Sequence, residues 1–263
     1  MKTIRNQVSA RSGLTLIELV VVLAVLVALA GLIIGNFPGI IRKASRSSSA
    51  TSVQDVSRAI QYFNTTTLKY PTGFDSLLQA PTVLYTKLPH SSTNATLLVG
   101  GQLSPGVVTA DEAAALAKIG LDKSLTHDSA VVTDVTWKST LPGQTAYSFD
   151  TAAASYAVAT IDSTNAFSIF HADTNSVAKK WLVFGVGAGS SLVGPSATML
   201  EAPVHYGADA LQNPKDYYQR YAVCFEVDST DPTSIVARYV GAAAIEGDGL
   251  TATDANVKEY WKN

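Results

Sequence analysis

Apolar and polar positions change rhythm three times along this chain. From Leu14 to Ile41 apolar residues follow one another with Glu18 as the sole charge; Lys2, Arg5 and Arg11 precede the run, and Arg42, Lys43 and Arg46 follow it. About 20 helical residues cross the ~30 Å hydrocarbon core of a bilayer, so residues 14–41 suffice to span one. A different pattern then begins, in which Val53, Val56, Ile60 and Phe63 recur at helical spacing. That is one apolar face of an amphipathic helix. The pattern predicts a single helix from Leu14 to about Asn64. Gly31, Gly35, Asn36, Pro38 and Gly39 cluster helix-weakening residues within it, and a kink is expected near Pro38.

Past residue 65 the chain breaks into short strand-like runs: Ala130–Trp137, Thr145–Phe149, Tyr156–Ile161, Phe167–His171, Trp181–Val186, Tyr221–Val227 and Ser234–Val240. Thr109-Ala110-Asp111-Glu112 is a capping box that opens a short helix over Ala113–Ile119, stopped by Gly120. Asn213-Pro214 starts another through Tyr218. The expected class is α+β: a long N-terminal helix, transmembrane in its first half, packed on a mainly antiparallel sheet.

Charge changes the picture. The net of −2 over 263 residues hides a basic segment at 1–69, with a net of +6, and an acidic body at 70–263, with a net of −8. A nucleic-acid binder carries its basic charge on the folded domain, so no nucleic-acid partner is expected. The lone cysteine, Cys224, lies in a strand-like stretch and reads as a small buried apolar side chain.

Residues 1–41 admit three readings. One is a cleavable secretory signal with Ala28-Leu29-Ala30 as its small-x-small site. Against it, the apolar run continues through Leu32, Ile33 and Ile34. An acidic residue at the centre of an inserted helix also costs on the order of 3 kcal/mol, a handicap without purpose in a disposable segment. A plain single-pass anchor leaves Glu18 equally unexplained. The third reading rests on Arg11-Ser12-Gly13-Leu14-Thr15-Leu16-Ile17-Glu18-Leu19-Val20, which resembles the processing motif of type IV pilins and type II secretion pseudopilins. The resemblance implies that residues 1–13 are a leader cut after Gly13 by a prepilin peptidase. It implies that the peptidase methylates the new amine of Leu14 and that Glu18 is the fifth mature residue. Phenylalanine is commoner in the family where this chain has Leu14, and the family's helix proline commonly stands where this chain has Gly35. The Leu14 amine of one subunit would meet the Glu18 carboxylate of a neighbour in a low-dielectric bundle, with Thr15 hydrogen-bonding in the same cluster.

Tyr70-Pro71 followed by Leu77 and Leu78 is similar to the helix exit of major pseudopilins, although an ordinary Pro-Thr-Gly turn gives the same residues. The resemblance spans about residues 9–80. It implies a leader at 1–13, a transmembrane and polymerisation helix at 14–41, an amphipathic helix at 42–64, and a pilin-like body at 65–263 with insertions at about 79–200. It further implies a non-enzymatic homopolymer that also meets other pilin-like subunits, the prepilin peptidase, assembly-platform proteins and the membrane. The location implied is the bacterial cytoplasmic membrane, in a single pass with the body outside. Type II secretion pseudopilus and type IV pilus both remain open. So does an exported or anchored binding protein or enzyme with an ordinary signal segment.

Within the body, Gly185, Gly187 and Gly189 form GxGxG rather than a GxGxxG phosphate loop, and read as a turn. His90, His127, His171 and His205 lack metal-ligand spacing. Glu246, Asp248 and Asp254 lie in a glycine-rich acidic segment. Solvated turns are the ordinary reading there. Calcium is the alternative, since major pseudopilins hold that ion in a C-terminal loop. No other cofactor is expected.

Overall fold

The computed structural model describes residues 16–34, 37–91, 94, 96–127, 145–148, 155–175, 178–194, 197–204 and 217–251. The chain divides into two compact units, one ending at Arg42 and the other beginning at Lys43. Helix α1 runs Leu16–Ile34 and helix α2 runs Phe37–Thr67. The helix expected over Leu14 to about Asn64 is thus described in two stretches, on either side of residues 35 and 36. Pro38 is the second residue of α2. Residues 35 and 36 lie outside the described set. Helix α2 also outruns its expected end, because the hydroxyls of Thr66 and Thr67 bond back to the carbonyls of Tyr62 (3.0 Å) and Phe63 (2.7 Å). Among the described residues no helix is long and apolar enough to cross a membrane. In the sequence, the apolar run extends beyond both ends of α1.

The body is α+β. Its strands are β1 (Phe74–Asp75), β2 (Leu78–Ala80), β3 (Val83–Leu84), β4 (Leu103–Thr109), β5 (Lys123–Thr126), β6 (Thr145–Ser148), β7 (Ser155–Ile161), β8 (Lys179–Gly185), β9 (Tyr221–Asp228), β10 (Val236–Glu246) and β11 (Gly249–Thr251). Helix α3 (Ala110–Lys118) follows β4, and helix α4 (Ser163–Phe170) follows β7. Among the described residues nine strands form one sheet in which β11, β10, β9 and β8 lie side by side. Beyond β8 the sheet forks. Trp181–Val183 pair with β7, which carries β4 on its far side. Gly185 pairs with Asp75 of β1, which leads to β5 and β6. Among the described residues every pairing between these strands is antiparallel except β1 with β5. A separate two-stranded sheet joins β2 and β3.

Alternation along β8 and β9 feeds two cores. Leu182, Phe184, Tyr221, Val223, Phe225 and Val227 face one of them, with Val53, Val56 and Ile60 of α2 and Ala113 and Leu116 of α3. The three aliphatic side chains of α2 are buried, as their spacing predicts, each worth about 1.5–3 kcal/mol. Trp181, Val183, Ala222 and Cys224 face the other core, with Ile169 and Phe170 of α4 and with Leu77, Leu78 and Leu88. The sheet is thus covered on both faces, which explains the near-continuous burial of β9.

Several local expectations hold. Thr109 caps α3 as half of a full capping box, and Gly120 follows that helix in the left-handed region at φ +103°. Strands β6 to β10 lie where strand-like runs predict them, with β10 continuing to Glu246 across a bulge between Tyr239 and Gly241. The Ala130–Trp137 run and Phe149 lie outside the described residues. One expectation is overturned: Phe167–His171 is not a strand. Asp162 accepts from the Asn165 amide (2.9 Å) and caps α4, which buries Ala166, Ile169 and Phe170 at helical spacing. The helix expected from Asn213-Pro214 begins outside the described residues, and its described end, Tyr217–Tyr218, is not helical.

Candidate functional site

Helix α1 is apolar on every side. Leu16, Ile17, Leu19, Val20, Val21, Leu23, Leu26 and Leu29 are all exposed, from 82% at Leu16 to 50% at Leu29. A helix apolar all round needs a bilayer or other apolar helices around it. Its one charge is Glu18, in the first turn, where the partly positive helix terminus favours a carboxylate. Gly13, Leu14 and Thr15 lie outside the described residues.

The helix exit at Tyr70-Pro71 is a structural junction. The Tyr70 N–H donates to the carbonyl of Ile119 (2.7 Å), and its ring meets Phe225 edge-on at 5.5 Å. A Cβ on Gly120 would strike the Tyr70 backbone, so the glycine that stops α3 also admits this loop. Leu77 and Leu78 are buried in the second core.

Of the calcium candidates, Glu246 is half-buried and accepts from the Thr251 hydroxyl (3.0 Å), Asp248 lies exposed in the β10–β11 turn, and Asp254 lies outside the described residues. Among the described residues no three His, Cys, Asp or Glu side chains gather where they could hold a metal ion. Cys224 is fully buried, and burial pushes its thiol pKa up, so it is unreactive.

Sequence reasoning missed a polar node inside the body. Asp75 of β1 is fully buried and accepts from the Tyr218 hydroxyl (2.5 Å). The Arg220 guanidinium stands 5.8 Å from the Tyr218 ring centroid. His127 stacks on Tyr85 at 4.0 Å and meets Tyr218 edge-on at 5.6 Å. Neither ring nitrogen of His127 finds a hydrogen-bond partner among the described residues. Burial lowers the His127 pKa and Arg220 lowers it further, against an opposing pull from Asp75. Burial, with the Asp75 charge, pushes Tyr85 up to about 12. The same node explains the glycine run: a Cβ on Gly187 would strike the Asp75 carboxylate, and one on Gly185 the Tyr218 hydroxyl. These glycines make room for a buried acid and a phenol, and no phosphate loop is formed.

A second buried acid, Glu226 of β9, is neutralised by Arg238 (3.0 Å) and Lys179 (3.5 Å) and accepts from the Trp181 indole (3.3 Å). A cleft of about 520 Å³ opens beside it, lined by Val107, Asp162, Lys179, Lys180 and Trp181 among others. Its two lysines are engaged by Asp173, Glu226 and Glu112. Burial raises the Glu112 pKa, but hydrogen bonds from Lys180 and Thr109 outweigh it and leave the carboxyl below its usual value.

Compared with protein-family models, curated proteins and solved structures, the chain matches none.

Proposed function

We propose that this chain is a structural, non-enzymatic subunit of a pilin-like filament, held in the bacterial cytoplasmic membrane until it polymerises through its N-terminal helix. The observation that carries the reading is α1, whose apolar side chains are exposed all round a single carboxylate, Glu18. Such a surface is stable in lipid, and again in a bundle of like helices. The intramembrane acid calls for a partner at the same depth. Cleavage after Gly13 supplies one: the Leu14 amine of an adjacent copy, with Thr15 beside it. The exchange of lipid for neighbouring helices leaves the apolar burial roughly unchanged, while the ion pair sets the axial register. The acidic body, whose net charge is −8, keeps the assembled surface soluble. The leader motif is common to type IV pilins and type II secretion pseudopilins, and the Tyr70-Pro71 helix exit tilts the reading toward the pseudopilus.

Intact-mass measurement of the membrane-extracted protein tests this reading. The expected species begins at Leu14 and carries one added methyl group. A chain still beginning at Met1, or one beginning at Gly31, would overturn it, the latter in favour of an exported soluble protein. Glu18→Ala is expected to abolish filaments while leaving the body folded, and filaments of normal yield from that variant would refute the role of the carboxylate.

A further inference from the structure

Two asparagines of this chain begin an Asn-x-Thr triplet, Asn64-Thr65-Thr66 and Asn94-Ala95-Thr96, the acceptor pattern for an N-linked glycan on an exported protein. The fold treats the two differently. Asn64 lies near the C-terminal end of α2, is half-buried, and accepts from the Leu68 N–H at its carbonyl (2.8 Å). The Thr66 hydroxyl donates back to the carbonyls of Tyr62 and Phe63 (3.0 Å each), so it serves the helix backbone rather than the Asn64 side chain. Asn94 stands on a surface loop with an anchored base. His90 and Leu98 form an antiparallel bridge there, the Val99 N–H donates to the Pro89 carbonyl (2.7 Å), and Leu88 and Val99 are fully buried. His90 Nε2 lies 3.2 Å from the Tyr217 hydroxyl. Beyond that base Asn94 and Thr96 are both exposed. They form an Asx turn: the Thr96 N–H (3.2 Å) and the Thr96 hydroxyl (2.7 Å) both donate to Asn94 Oδ1.

We propose that Asn94 is a glycosylation site, which receives a sugar chain from a lipid-linked sugar diphosphate outside the cytoplasm. The inference rests on the reading that the body lies on that side of the membrane. An amide nitrogen is a poor nucleophile, because its lone pair is delocalised into the carbonyl. As Nδ2 gives up a proton, negative charge gathers on Oδ1, where the two Thr96 donors already bond. Nδ2 attacks C1 of the sugar and the N–C1 bond forms. The C1–O bond to the donor phosphate breaks, its electron pair stays on the phosphate oxygen, and the amide proton ends there. Exposure lets a transferase reach the turn, and the anchored base holds it in the reactive shape without ordering by the enzyme. Asn64 offers neither the turn nor the free approach.

Trypsin separates the two triplets, since Asn64 falls in the peptide 59–69 and Asn94 in the peptide 88–118. Mass spectrometry of the full-length protein, extracted from the membranes of the cells that make it, tests the site. The 88–118 peptide is expected to be enlarged by whole sugar residues on Asn94, and the 59–69 peptide to keep its sequence mass. An unmodified 88–118 peptide would overturn the proposal, and so would sugar on Asn64. Thr96→Val removes the hydroxyl from an exposed position and is expected to abolish occupancy at Asn94 without moving the melting midpoint, whereas Thr96→Ser retains the sugar. Undiminished occupancy in Thr96→Val also overturns it. The N-terminal peptide of the same digest judges the filament reading separately. A start at Leu14 with no sugar rejects this inference alone, and sugar with a start at Gly31 rejects that reading alone.

Discussion

Helix α1 and strand β9 are both built largely from apolar residues, and they meet opposite fates. Leu16 to Leu29 stand exposed, whereas Tyr221 to Val227 are buried to within 2% of full coverage. The stretches Leu16–Leu29 and Tyr221–Val227 contain one acid each. Glu226 in β9 has its neutralising cations on the same chain, Arg238 at 3.0 Å and Lys179 at 3.5 Å. Glu18 lies in the first turn of α1, among exposed apolar side chains. The contrast teaches that hydrophobic content alone does not say where a segment belongs. Strand β9 completes its surroundings within the fold, whereas the apolar side chains of Leu16 to Leu29 stand exposed.

That contrast can be broken at its strongest point by matched truncations. Phe225→Ala removes a fully buried ring that packs against Tyr70, Phe74, Phe184 and Tyr239, and is expected to destabilise the body by about 3–5 kcal/mol in urea melts. Leu23→Ala in α1 is expected to change the same melt by less than about 0.5 kcal/mol, since that side chain is exposed. Equal losses would mean that α1 is part of the body's cooperative unit. Gly187→Ala forces a methyl group into the Asp75 carboxylate and is expected to cost about 1–3 kcal/mol, read as a lower melting midpoint. Thr109→Ala removes the capping-box hydroxyl of α3, with an expected loss of about 1 kcal/mol.

The smallest effect concerns pH. The Glu112 carboxyl is held below its usual pKa, so its contribution is complete above the unfolded value of about 4.3 and disappears as pH falls through the folded value. Lys180→Met should flatten that acid limb of a stability–pH curve, because it removes the 2.9 Å hydrogen bond and the charge that lower the pKa. An unaltered limb would remove Lys180 from the explanation.

Local signals made part of this architecture legible. The α2 stripe, the capping box of α3 and strands β7 to β9 are each written in neighbouring residues, as spacing, capping chemistry or an apolar run. Strand β4 was hidden because Pro105 and Gly106 interrupt it. The structure tolerates both, since among the described residues β4 pairs only with β7, and Gly106 lies against the Thr160 side chain. Helix α4 was misread because its aromatic and β-branched residues imitate a strand, although Ala166, Ile169 and Phe170 keep helical spacing. Of the candidate sites, the motif around Gly13, Leu14 and Glu18 stands in the sequence itself. The polar node was invisible there, because Asp75, Tyr85, His127, Tyr218 and Arg220 are far apart along the chain and share no motif.

By itself, the sequence determined what is periodic or contiguous: an apolar N-terminal run with one acid, an amphipathic helix after it, and an α+β body rich in strands. Tertiary structure alone decided which face of each strand is dry, how the sheet forks at β8, and which distant polar groups share one buried site. The reason is physical. Propensity, capping and hydrophobic rhythm act over a few residues, whereas the burial of a charge is tolerable only after the whole sheet has brought its partners into reach.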